Sequence, residues 1–288
     1  MVVMLLLIIE IVFMFIPVSH STSNTLAGKN WFAIYWKENS LGFRDAELKE
    51  KDLTKKKIIF IGDSFTAGHG LKKTSQRFSD IAGKQLKDKY EFFNLGVNGA
   101  DTDDEYKTLL NFSEKPDVLV LQYFFNDIDN ATKRAGVWQE FLMMYSDIPL
   151  WQRPLARGSF LLNFIYWKFP HSGEFDYVAQ LRKAYGDSII LQDHLSSLKK
   201  FTDYCHANGV RLYVVMFPFL QDLQISNELA TPVKQFFTNE KVVVLEVSQL
   251  VTDLSVKERV VNVNDFHSSP LVNERVANEL VKIVKEKN

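Results

Sequence analysis

The sequence predicts a three-layer α/β/α domain on a five-stranded parallel sheet, with a helical insertion after the third strand. Three observations carry this. Five short apolar runs have strand length, helical-period segments alternate with them, and one stretch of roughly sixty residues breaks the alternation. Strands that alternate with helices form parallel sheets covered on both faces, and chemistry gathers at the carboxyl ends of such strands.

Each element follows in order. Ile58–Ile61 is an apolar run ended by Gly62, as expected of a strand buried on both faces. Phe78–Tyr90 reads as a helix and Phe92–Leu95 as the second strand. Asp101–Phe112 is a helix whose acidic start suits its positive end, and Val118–Tyr123 is strand three. Residues 128–186, rich in aromatics, are too long for a loop and should carry helices of their own. Leu191, Leu195, Leu198 and Cys205 then share one helical face, with Asn208-Gly209 as a stop before a strand at Leu212–Phe217. Val233–Phe237 is a short helix after Pro232, Val242–Val247 is strand five, and Pro270 opens a last helix with Val276, Leu280 and Val284 inward.

The chain therefore divides into an apolar segment over 1–19, a leader over 20–56 that packs on the domain, and the domain proper over 57–288. Met1–Val18 is apolar apart from Glu10, which reads as a membrane anchor or a signal segment, with Ser19 and Ser21 as small residues near a cleavage site. Its length and the missing basic start leave anchor and signal both open, along with a true start further upstream. The expected location is a membrane-anchored, extracytoplasmic one, or a secreted one if the leader is cut.

Lys plus Arg is 34 against 35 acidic residues, so no positive field exists to draw nucleic acid. Cys205 is the only cysteine, which excludes an intrachain disulfide and thiolate metal cages. No metal or organic cofactor is expected.

Gly62-Asp63-Ser64-Phe65-Thr66-Ala67-Gly68 lies where strand one ends, a position that exposes a serine to substrate and to a base from another loop. At the next two strand ends stand Asn94-Leu95-Gly96-Val97-Asn98-Gly99-Ala100-Asp101 and Phe125-Asn126-Asp127. A backbone N–H at a glycine turn and an asparagine amide are suitable donors for a developing oxyanion. His267, in Asn264-Asp265-Phe266-His267, is the one histidine expected in a loop after the last strand with a carboxylate two residues away. His69 is the second candidate for a base, while His20, His171, His194 and His206 have ordinary structural readings.

These four blocks, in this order and at strand ends, resemble the SGNH/GDSL hydrolases over roughly Asn39 to Lys285. The resemblance implies a flavodoxin-like sheet, Ser64 as nucleophile, His267 as base, and an oxyanion hole of Ser64 N–H, Gly99 N–H and the Asn126 amide. Two positions depart from the family pattern. Phe124 stands where the third block usually has glycine, which narrows the site or changes the strand's exit. Asn264 stands where the last block often has aspartate three residues before the histidine. Relatives with an N-terminal anchor and a leader like Asn39-Ser-Leu-Gly-Phe-Arg44-Asp carry the acid one residue nearer, which implies Asp265 as the orienting acid.

The implied activity is hydrolysis of an ester, an acyl or acetyl group on an envelope glycan, lipid or small molecule, through an acyl-enzyme. An O-acyltransferase acting on an exported polysaccharide would use the same residues, and a silent binding protein on this fold is the reading from a different class. Trp138, Phe141, Met143, Met144, Tyr145, Trp151, Phe160, Phe164, Tyr166 and Trp167 of the insertion either line a substrate site or form the insertion's own core, the second being the commoner use of such residues.

Overall fold

A computed structural model describes residues 1–20, 25–48, 54–137, 158–166 and 173–286. Two leader helices come first, α1 (Val2–Met14) and α2 (Leu26–Tyr35). Then follow β1 (Lys56–Gly62), the one-turn α3 (Ser64–Ala67), α4 (Phe78–Leu86), β2 (Tyr90–Gly96), α5 (Thr102–Asn111) and β3 (Val118–Tyr123). The insertion contributes α6 (Asp129–Arg134), α7 (Phe160–Tyr166) and α8 (Gly173–Gly186). The remainder is α9 (Ser188–Asn208), β4 (Arg211–Met216), α10 (Leu223–Asn239), β5 (Val243–Glu246), the short α11 (Val247–Leu250) and α12 (Val256–Arg259), β6 (Val260–Asn262), β7 (Asp265–Ser268) and α13 (Pro270–Glu286).

The five parallel strands lie in the order β2-β1-β3-β4-β5. This is the flavodoxin-like order, and the strand sequence reverses between β1 and β3. Each sheet face carries its own core. Ile59, Ile61, Leu119 and Leu121 pack with α9 and α10 on one face, through Leu198, Phe201, Val233 and Phe237. Ile58, Phe60, Val118 and Val120 pack with α4 and α13 on the other, through Phe78, Val276 and Leu280. The predicted three layers and five strands are present.

Three expectations change. The helix read as starting after Pro232 begins at Leu223 and runs through the proline, because Leu229, Val233 and Phe237 bury one continuous face whose packing outweighs the lost backbone bond. His267 lies on β7 of an antiparallel β6–β7 hairpin that was not predicted, rather than in a loop. The third concerns the N-terminus: α1 has 13 residues, about 20 Å at 1.5 Å per residue, against an apolar bilayer thickness of about 30 Å. Among the described residues no helix is long and apolar enough to cross a membrane.

Glu10, the polar interruption in α1, caps another helix. Its carboxylate accepts the Phe160 N–H at 2.5 Å, the Leu161 N–H at 3.2 Å and the Ser159 hydroxyl at 2.8 Å at the start of α7. Burial opposes its charge, but these donors win and hold the carboxyl below the usual range. Phe13 meets Phe164 edge-on at 4.9 Å, so α1 docks on the insertion. Trp138, Phe141, Met143, Met144, Tyr145, Trp151, Trp167 and His171 lie outside the described residues.

Candidate active site

Ser64 opens α3 directly after β1, with Asp63 as the cap whose carboxylate accepts the Phe65 N–H at 2.8 Å. As a first-turn residue, Ser64 has a backbone N–H with no partner inside its helix. Neighbouring strands hold this turn rigid. The Gln122 side-chain oxygen, from β3, accepts the Asp63 N–H at 2.9 Å and the Thr66 hydroxyl at 3.0 Å. The Asn94 amide, from β2, donates to the Thr66 carbonyl at 2.8 Å. Gly96 permits this approach, since a Cβ there would stand 2.3 Å from the Ala67 nitrogen.

The β6–β7 hairpin brings the other end of the chain to Ser64. His267 Nε2 lies 2.8 Å from the Ser64 hydroxyl, and His267 Nδ1 lies 2.6 Å from Asp265 Oδ1. Residues two apart on a strand share a face, so β7 aligns Asp265 with His267 and turns Asn264 away into the hairpin turn, where its N–H donates to the Asn262 side chain. Asp265 is fully buried. Burial alone would raise its pKa, but the charge and N–H of His267, with His69 beyond, hold it well below the usual carboxylate range. An ionised Asp265 accepts the hydrogen bond of Nδ1–H, which keeps the proton on Nδ1 and leaves Nε2 as the acceptor facing the serine O–H. Gly70, at φ +80°, lets the loop close over this acid: a Cβ there would stand 2.5 Å from Asp265 Oδ2.

Gly99 and Asn126 lie at the ends of β2 and β3. Gly99 has φ +72° in the exposed Val97–Ala100 turn, which is closed by the Ala100 N–H to the Val97 carbonyl at 3.1 Å. The Asn126 amide donates to the Ala100 carbonyl at 3.3 Å, which joins the two loops. The predicted residues from the ends of β1, β2 and β3 therefore gather at one edge of the sheet, and those from β7 meet them there. A hydroxyl facing an imidazole nitrogen, with amide donors on neighbouring strand ends, is an arrangement suited to acyl transfer.

A GDSL-like lipase/acylhydrolase family model matches residues 58–147. Over that stretch, about a third of the chain, the sequence is similar to that family. The matched stretch includes Gly62-Asp63-Ser64 at the end of β1. Among solved structures it is similar to a lipolytic protein of the G-D-S-L family from Desulfitobacterium hafniense, at 13% identity over 80% of this chain and 99% of that one, with a TM-score of 0.49. A lipase/acylhydrolase from Enterococcus faecalis has 16% identity over 81% and 96%, with a TM-score of 0.49. A carbohydrate acetylesterase family member from Sinorhizobium meliloti has 11% identity over 80% and 98%, with a TM-score of 0.49. No curated protein matches the chain.

Residues of the leader reach this site, which their sequence context does not signal. Arg44 of the leader donates to the carbonyls of Gly68, Leu71 (2.6 Å) and Tyr35 (3.1 Å), clamping the loop after the serine turn. Ser19 and His20 lie against the hairpin and His69, through Asn262 to the Ser19 carbonyl at 3.1 Å and His69 to the His20 carbonyl at 2.8 Å.

Behind the site, Asp63, Asp101, Glu105 and Asp127 are all buried. Burial raises Asp63 to about 6 against the hydrogen bond from Phe65. Burial and then neighbouring acids raise Glu105 and Asp127 well above the ordinary range. Each of these raised groups holds its proton to higher pH in the fold than in the unfolded chain, so stability present below the ordinary carboxylate pKa is lost as pH rises, through about 6 for Asp63 and beyond it for Glu105 and Asp127. Glu105→Gln removes one such group. Its melting temperature should match wild type at pH 4 and exceed it at pH 8 by at least about 2–4 °C, the equivalent of roughly 1 kcal/mol. Equal melting temperatures at both pH values would refute the assignment.

Proposed function

We propose that this protein is a serine esterase that removes a short acyl group, acetyl foremost, from a glycan, lipid or small alcohol. The observation that carries the reading is the aligned pair of contacts, Ser64 Oγ to His267 Nε2 at 2.8 Å and His267 Nδ1 to Asp265 Oδ1 at 2.6 Å. In this mechanism the Ser64 hydroxyl attacks the ester carbonyl as His267 takes its proton, and Asp265 balances the imidazolium. The Ser64 and Gly99 N–H groups and the Asn126 amide receive the negative oxygen. His267 returns the proton to the leaving alcohol, and water, deprotonated by the same imidazole, releases the acid from the acyl-enzyme.

Phe124 supports a short acyl group. Its ring packs 4.9 Å from Phe65 and 5.0 Å from Phe219, and Phe65 lies 5.1 Å from the His267 ring. A wall of this kind beside the nucleophile restricts the length of the acyl chain. The full chain should hydrolyse p-nitrophenyl acetate in preference to the octanoate, and Phe124→Ala should raise the octanoate-to-acetate ratio of kcat/KM by about tenfold or more, the worth of a few methylenes in an apolar pocket. A wild-type preference for octanoate would overturn the short-chain reading.

The enzyme is held at a membrane surface by α1, whose Val2–Leu7, Ile11 and Val12 side chains are exposed and apolar. The full chain should co-sediment with phosphatidylglycerol vesicles, and Leu5→Asp with Ile11→Asp should return it to the supernatant. A wild-type chain that stays in the supernatant would rule this placement out.

A further inference from the structure

We infer that His69 is a positioning residue for His267 and that it ties the start of the chain to the reactive serine. This rests on the Ser64–His267–Asp265 reading above. His69 is 5% exposed, and its ring lies 4.3 Å from the His267 ring at an interplanar angle of 22°. Its other face lies against Trp31 of α2, at 5.8 Å and 19°. The imidazole of His267 is therefore backed by a stack that begins in the leader. Phe32 meets the His69 ring edge-on at 5.2 Å, closing the remaining side.

Hydrogen bonds fix the tautomer of the inner ring. Nε2 donates to the His20 carbonyl at 2.8 Å, so Nδ1 is the acceptor, and it faces the Asn98 amide at 3.3 Å. Asn98 immediately precedes Gly99, so one side chain touches the leader, the Gly99 turn and the base. The same Nε2 edge lies 3.8 Å from Asp265 Oδ2. Burial, then the neighbouring His267, lowers His69 to about 4, so its ring is neutral near pH 7.

The stack serves the reaction in two ways. It blocks rotation of the His267 ring off the line between Ser64 and Asp265, and misplacement of about 1 Å at such a group costs about 10²-fold in rate. It also presents a neutral π face to the imidazolium that forms when His267 takes the serine proton, an attraction that a second charged ring could not offer.

The test compares full-length His69→Ala and His69→Phe with wild type on p-nitrophenyl acetate. His69→Ala should lower kcat about 10- to 100-fold with KM within twofold, and His69→Phe, which keeps the stack and loses both hydrogen bonds, should recover part of that loss. The low-field proton resonance of His267 Nδ1–H against Asp265 should be sharp in wild type, broadened in His69→Ala and retained in His69→Phe. If His69→Ala fails to fold, His69→Phe decides by its reduced kcat and retained resonance. The inference is overturned if the folded variants keep kcat within twofold with the resonance unchanged, or if the loss falls on KM alone. Failure of the triad reading looks different: Ser64→Ala would then match the wild-type rate, while the proton resonance still reports whether His69 holds His267.

Discussion

Ser64→Ala is expected to lower kcat/KM on p-nitrophenyl acetate by about 10⁶-fold, the loss seen when a serine protease is stripped of its nucleophile. Part of the rate should survive, because the Gly99 and Asn126 donors and substrate binding remain when the hydroxyl is gone. That residue of activity, about 10³-fold over the uncatalysed hydrolysis, is best measured by active-site titration alongside the initial rate, so that contaminating wild type is excluded. The melting temperature should barely move, since the hydroxyl's contact in the site is to His267 Nε2 and the turn itself is held by Asp63, Gln122 and Asn94. A fluorophosphonate probe should label wild type and leave the variant unlabelled. Equal labelling of the two proteins would show that another residue is the nucleophile.

Asp265→Asn should cost about 10⁴-fold in kcat, the size of the loss when the orienting acid of a serine protease becomes an amide. The new amide can donate to Nδ1, which would then give up its proton to Nε2 and leave no acceptor for the serine. The carboxylate is fully buried and held ionised by His267, so no other acid can substitute through solvent. Asn264→Ala should leave kcat within a fewfold of wild type. The reverse ranking, a severe loss at 264 and a mild one at 265, would move the orienting role to the hairpin turn.

Much of the fold was legible because apolar runs of four to eight residues ended by Gly62 or Tyr123 have few alternatives in an α/β chain. The placement of the candidate site was legible for a related reason, since Ser64, Gly99 and Asn126 each follow a strand, and strand ends converge at one edge of a parallel sheet. The β6–β7 hairpin was harder to see. Val260–Asn262 and Asp265–Ser268 are three and four residues long, too short for their alternation to register. The hairpin supplies the reason for the Asp265–His267 spacing: two residues apart on a strand, two side chains share a face. Pro232 misled for the opposite reason, a strong local signal overruled by the burial of Leu229, Val233 and Phe237. The place of His69 against the His267 ring is not legible either, because a stack against Trp31, contributed from outside the domain proper, has no periodic signature.

The meeting of Ser19 with Asn262 has a consequence for how the enzyme comes into being. These residues are 243 positions apart, and their contact lies beside the acid and base. On the ribosome, the sheet from β1 to β3 can assemble while the C-terminal third is still being made, but the leader must wait for the hairpin before its contacts close. Pairings of such long sequence separation are costly in loop entropy and form late. On the triad reading proposed above, a nascent chain with its serine turn complete would remain inert until Ser19 and the β6–β7 hairpin meet.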